Sequence, residues 1–331
     1  MRWVGIDEAG YGPNLGPLVM TAVIAESCNM MDGSAPVFDA SPPDLWRDLA
    51  STVDRAGGDP GRLWLDDSKR IFRSGKGRER LDATCLALLG TVGQVLPHDP
   101  PTLFDAVGAG TVMETELARW LDDRPDLPTW PAAGSLSAAQ KLTAKRPLQP
   151  AAATWRLVSV RSVMLGPDRF NHRLSLLGSK ARVHFTAFGE LLGHIWQLAS
   201  DGRPTEVESD KHGGRHYYFE PLLEAFPETW IDRGPEGPEL SRYTLRNGTN
   251  TLRLSLAPRA ENGNGLVALA SIVSKSLREV WMDAFNGYWT ARVEGLKPTA
   301  GYPVDALRFR RAIEPLASAG GIDPDLWWRR K

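Results

Sequence analysis

The chain has 331 residues, 42% hydrophobic and 24% charged, a balance that suits a globular protein of one large domain or two. Its 39 basic and 40 acidic residues leave a net charge of −1. No global basic field therefore advertises a nucleic-acid partner, although basic residues gathered on one face remain open. Cys28 and Cys85 are too few for a disulfide framework, no apolar run is long enough to cross a membrane, and Asp7 and Glu8 break the first apolar run too early for a signal peptide. The composition predicts a soluble, cytoplasmic, globular protein.

In chain order, residues 2–6 (RWVGI) and 18–25 (LVMTAVIA) read as strands joined by a Gly/Pro loop. Residues 79–90 predict a helix ending at Gly90, and 156–165 (RLVSVRSVML) another strand. Between them the stretch of about 95–153 changes character. It is rich in Ala, Pro, Ser and Thr and reads as an insertion with a flexible connector, outside the core. Residues 183–199 place Phe185, Phe188, Leu192 and Ile195 on one helical face. TEVESD is a short strand ending on Asp210, and residues 242–246 and 249–257 form a hairpin about Asn247-Gly248. Residues 266–289 read as one long helix. Strands and helices are both interleaved and clustered, which predicts an α/β fold.

The carboxylates stand out. Asp7 and Glu8 sit side by side at the end of an apolar strand, and a carboxylate removed from water is costly unless something compensates its charge. On a strand the two point to opposite sides, but a strand end leaves room for both to reach one cation. Asp210 ends a second strand before the segment DKHGGR, where the alternative reading is a loop-start residue making an Asx-turn. Glu279 lies mid-helix, four residues after Lys275 and four before Asp283, a spacing that also describes an ordinary surface pair. Oxygen-only acidic clusters suit Mg²⁺ or Mn²⁺, and two such ions about 3.5–4 Å apart can clamp a phosphodiester displacement. None of the six histidines falls in a metal-ligand spacing. His212 and His216, close to Asp210, are either loop residues or contacts to substrate, and His194 reads as a surface or packing residue.

The stretch GIDEAGYGPNLGPLV resembles the opening motif of type 2 ribonucleases H (ribonuclease HII), close to GxDEAGRGPxxGPxV. LDDSKRI at 65–71, ASIVSKSLRE at 270–279 and GYP at 301–303 resemble further motifs of that family, in order. The resemblance leaves out about 95–150 and 218–262, which read as insertions. It implies a ribonuclease H-like five-stranded mixed sheet with helices on both sides, in a catalytic domain over 1–300 with a helical C-terminal extension over 301–331. It implies that Asp7, Glu8, Asp210 and Glu279 bind two Mg²⁺ or Mn²⁺ ions. The implied activity is endonucleolytic cleavage of RNA in an RNA–DNA hybrid, or at ribonucleotides in duplex DNA, leaving 3′-hydroxyl and 5′-phosphate ends. The implied form is a monomer with no membrane partner.

The same resemblance assigns Gly10, Tyr11 and Gly12 to reading the ribose 2′-hydroxyl, Tyr302 to the adjoining sugar, and Ser68 and Lys69 to phosphate. Lys211 and Arg215 are extra to the family pattern; they either bind the uncleaved strand or belong to a solvated loop. Three positions depart from it: Tyr11 replaces an arginine, Glu279 replaces an aspartate, and Val304 stands for a threonine. Two alternatives remain open, a nuclease of the same fold acting on structured DNA and a non-catalytic nucleic-acid-binding relative. The tail LWWRRK combines aromatic and basic residues, so it either contacts nucleic acid or caps the core with Trp327 and Trp328 while its charges stay in solvent.

Overall fold

The computed structural model describes all residues except 29–40, 94–95, 122–129, 133, 146–147 and 331. Its centre is a mixed sheet of seven strands: β1 (Arg2–Ala9), β2 (Leu18–Ser27), β3 (Trp155–Leu165), β4 (Thr205–Asp210), β5 (Trp230–Glu236), β6 (Ser241–Asn247) and β7 (Asn250–Ala257). They lie in the order β3-β2-β1-β4-β7-β6-β5. β2 runs antiparallel to both β1 and β3, while β1, β4 and β7 run parallel. A five-stranded mixed sheet was the expectation; β6 and β5 extend it to seven by antiparallel pairing beyond β7. The added strands follow from the alternating leucines 252, 254 and 256, whose buried face continues the core past β4.

Helices cover both faces. On one, α3 (Lys180–Leu198) packs Phe185, Phe188, Leu191, Leu192 and Ile195 against Val4, Ile6, Val207 and the β7 leucines. On the other, α4 (Gly265–Thr290) lies across β1 and β2, flanked by α1 (Gly77–Thr91). Asn264 caps α4 by accepting from Leu266 N and Val267 N, two of the donors that a helix start leaves without partners. The first turn of α4 approaches β1 so closely that a Cβ at Gly5 would stand 2.3 Å from Val267 N. Only a glycine admits that contact, and it fixes α4 against the strand that carries Asp7.

Three local expectations change. α1 runs on through Thr91, so Gly90 lies inside it. The β6–β7 hairpin closes on the Asn247–Asn250 pair, making its loop Gly248-Thr249. The stretch of 95–153 is not outside the core: Leu103, Phe104, Trp120, Trp130 and Leu148 are buried with α1 and α4. The Trp120 ring meets Phe285 edge-on at 5.0 Å. An Ala/Pro/Ser background hid a few large side chains that reach the core.

The C-terminal part folds back over the loop that follows β1. α5 (Pro303–Ala319) leads to a tail in which Trp327 and Arg329 are fully buried. Arg329 N donates to Asn14 O, and its Nη2 donates to Gly10 O at 2.5 Å and to Pro13 O. The Trp327 side chain therefore does cap the core. Arg329 corrects the expectation of a solvated charged end, and burial beside Arg278 lowers its pKa to about 9. Asn171, on α2 (Pro167–Leu177), holds the tail from the far side through Trp328 O and Arg330 N.

Candidate active site

The β1–β4 ladder ends at the Ile6–Ser209 pair, so Asp7 and Asp210 follow next to each other where the two parallel strands part. The pleat sends alternate side chains to opposite faces. Asp7 lies on the α4 face, where Ser274 Oγ donates to its backbone oxygen and Ser271 supports its carboxylate. Glu8 lies on the α3 face, 3.8 Å from His184 Nε2. The two adjacent acids of the sequence are thus divided between two sides of one strand end.

Their electrostatics still couple. Burial pushes the Asp7 carboxyl well above the usual range and the Glu8 and Asp210 charges push it further, against hydrogen bonds from Ser271 and the Glu8 N–H. Asp210 is raised by burial and then by Glu8, although its Oδ1 accepts from Arg259 N at 2.6 Å. Among the described residues, no lysine or arginine forms an ion pair with Asp7, Glu8 or Asp210. Also among them, no three His, Cys, Asp or Glu side chains stand together as a ready metal cage. The pleat explains why: Glu8 points away from the other two. The donor chemistry, carboxylate oxygens with no paired protein cation among the described residues and with raised pKa at Asp7 and Asp210, fits a hard divalent ion.

Glu279 is arranged differently. Its Oε1 accepts from Lys275 Nζ at 2.5 Å and from Arg278 Nη1 at 3.3 Å. It lies eight residues along α4 from Ser271, roughly 12 Å of helix rise beyond the contact with Asp7. With Glu279 buried and Lys275 half-buried, this pair is not the exposed one that its spacing suggests. Arg278 is itself buried, with Nη2 donating to Leu15 O and Ala300 O, so it ties the post-β1 loop to α4.

The remaining expected residues are spread around the strand ends. Ser68 is buried, with its Oγ 2.9 Å from Ser271 Oγ, which links it to Asp7 through one hydroxyl. Lys69 is exposed; partial desolvation opposes its charge, but Asp67, Asp7, Glu261 and Glu8 outweigh this and raise its pKa. The carbonyl of Gly10 is held by Arg329 and Gly12 is exposed to solvent. Tyr11 packs edge-on against His184 at 4.7 Å, and Tyr302 stands exposed at the start of α5. Lys211 turns inward: its buried Nζ donates to Ser241 Oγ at 2.7 Å. Arg215 donates to Ala181 O.

Sequence reading missed three neighbours. Ser271, inside the ASIVSK stretch, carried no signal of its chemistry. Glu261, raised by burial and by Asp210, stands in the turn whose backbone caps Asp210. His184 is buried beside Glu8 with neither ring nitrogen hydrogen-bonded among the described residues. It sits on the helical face read only as apolar.

No protein-family model and no curated protein matches the sequence. Among solved structures, the chain is similar to the ribonuclease HII of a PCNA complex from Archaeoglobus fulgidus, with 15% identity over 100% of this chain and 95% of that one, at a TM-score of 0.41. It is also similar to ribonuclease H2 from Pyrococcus horikoshii OT3, with 14% identity over 99% and 92% of the two chains and a TM-score of 0.38. Bst-RNase HIII, in complex with Mn²⁺, gives 12% identity over 99% of this chain and 66% of that one, with a TM-score of 0.42.

Proposed function

We propose that the protein is a divalent-metal-dependent ribonuclease H-type endonuclease that cleaves the RNA strand of RNA–DNA hybrids or at ribonucleotides within duplex DNA. The observation that supports this reading is the placement of Asp7 and Asp210 side by side at the ends of β1 and β4, with Glu8 on the opposite side of the same strand end; the carboxyls of Asp7 and Asp210 are raised by burial and by neighbouring negative charge, with no lysine or arginine ion-paired to them among the described residues. In this reading Asp7 and Asp210 hold Mg²⁺ or Mn²⁺ from the α4 face, Glu8 from the α3 face, and Glu279 contributes from α4. A cation pair bound there supplies activation of water and neutralisation of the phosphoryl charge. The chain's own part is to fix the substrate. The loop 10–12, pinned at Gly10 by Arg329 and followed by Leu15 held by Arg278, offers backbone groups to the ribose 2′-hydroxyl, which distinguishes RNA from DNA. Ser68 and Lys69 stand on the phosphate side, and Tyr302 against the neighbouring sugar. Products carry 3′-hydroxyl and 5′-phosphate ends.

The test is cleavage of a labelled RNA–DNA hybrid, and of a duplex with one embedded ribonucleotide, in Mg²⁺ or Mn²⁺. Cleavage that persists at the wild-type rate in Asp7→Asn and Asp210→Asn would sink the reading, and cutting of an all-DNA duplex at the same rate would move it to a DNA nuclease.

A further inference from the structure

Tyr11 occupies the loop position where the resemblance places an arginine, which leaves that position without a charge. One cation from another element, Lys180, comes to its ring instead, and a second, Arg215, stands on the neighbouring turn. Lys180, in the first turn of α3, holds Nζ 4.9 Å from the Tyr11 ring centroid, within the range of a cation–π contact. Arg215, from the turn after β4, bears on the Tyr11 hydroxyl electrostatically, as does Glu8 in the opposite sense. The Arg215 guanidinium is anchored by Nη2 donating to Ala181 O at 3.2 Å, and it lies over the Phe185 and Tyr218 rings at 5.6 and 5.9 Å. It thereby joins the turn after β4 to the residue next to Lys180.

The turn is shaped for the tyrosine. Gly213 has φ +55°, and a Cβ there would stand 2.5 Å from Tyr11 Cε1. Gly213 therefore lets the Tyr11 ring pack against this turn, the turn that carries Arg215 two residues further on. On its other edge Tyr11 meets His184, and His184 meets Glu8 at 3.8 Å. The two cations thus flank a platform that adjoins the acid cluster. The unusual residue at position 11 and the segment extra to the family pattern form one structural unit.

We propose that Lys180 and Arg215, gathered about the Tyr11 ring, form a subsite for a nucleic-acid backbone phosphate beside the acids, supplying from α3 and the 211–215 turn the positive charge that position 11 itself lacks. The inference rests on the reading of the acid cluster as a nuclease site, but its test does not require cleavage. Binding of a fluorescein-labelled RNA–DNA hybrid to the full chain in EDTA is followed by anisotropy over a range of salt concentrations.

Each phosphate contact contributes about −0.9 to the slope of log affinity against log salt for duplex DNA. Lys180→Ala is expected to weaken binding on the order of 5–10-fold at ~0.1 M salt and to flatten the slope by about one contact. Lys180→Glu weakens binding further, and the double variant Tyr11→Arg/Lys180→Ala restores both affinity and slope. Lys141→Ala, an exposed lysine on the helix Ser135–Lys145 that packs on α1 across the sheet from α3, leaves them unchanged. Unchanged affinity and slope in both Lys180 variants overturn the subsite, as does wild-type protein that binds no hybrid. Hybrid binding with the expected slope change but no cleavage in any divalent metal overturns the nuclease reading and leaves the phosphate subsite standing.

Discussion

Two sets of acids lie along α4, about two helical turns apart, and the protein treats them in opposite ways. Glu279 has its charge met by Lys275 and Arg278, both delivered by its own helix. Asp7 and Asp210 have no such partner among the described residues, and each carries a carboxyl raised by burial and by neighbouring negative charge. An ion pair within one helix is complete as soon as that helix forms. Carboxylates gathered from separate strands are left with repulsion that an external cation can relieve. The difference separates an acid whose charge the fold already answers from acids whose charge it leaves unanswered.

The largest expected effect tests the second group. Asp7→Asn and Asp210→Asn should each lower metal-dependent hybrid cleavage by ~10³-fold or more, since a metal clamp is worth several kcal/mol in the transition state. Initial rates under saturating Mg²⁺ and Mn²⁺ measure this. Next comes the first group. Arg278→Met removes the donor to Glu279, Leu15 O and Ala300 O, and should cost about 3 kcal/mol in urea unfolding, because it strands buried polar groups. A loss below ~1 kcal/mol would mean that Glu279 is already satisfied by Lys275 alone.

A smaller effect separates the two groups directly. Divalent metal at ~100 times its Kd should stabilise the wild type by about 2.7 kcal/mol, seen as a rise in Tm. Asp7→Asn should abolish that rise, while Glu279→Gln should only diminish it; equal loss in both would place Glu279 with the strand-end acids. The smallest effect concerns stability in EDTA. Removing one member of a repelling, desolvated set by Asp7→Asn should stabilise the metal-free protein by about 1 kcal/mol, or ~2 °C in Tm.

The same energetics fix a pH dependence. Because the folded Asp7 and Asp210 bind protons more tightly than the unfolded chain, the stability of the metal-free protein falls as pH rises from the ordinary carboxylate range through their raised values. Asp7→Asn should flatten that fall in a series of thermal melts at increasing pH. A melt series in which variant and wild type stay parallel would assign the fall to other groups.

The amino-acid sequence by itself determined the hydrophobic strands that end on Asp7 and on Asp210, the hairpin, the long helix after Asn264 and the motif blocks around them. These signals are local: a period of two, a period near four, a cap, a glycine. It also determined that several acids face a common problem of charge. Only the tertiary structure decided which neighbours answer that problem. The pleat at the end of β1 divided Asp7 from Glu8, and the rise of α4 carried Glu279 away from Ser271 to the cations of its own turn. Chain reversal brought Arg329 beneath Gly10, and packing of α3 against the turn after β4 brought Lys180 and Arg215 to Tyr11. Glu261 and His184 joined the acids by the same route. A carboxylate's pKa and partners depend on distances of a few ångströms between residues far apart in the chain, and no local pattern encodes those distances.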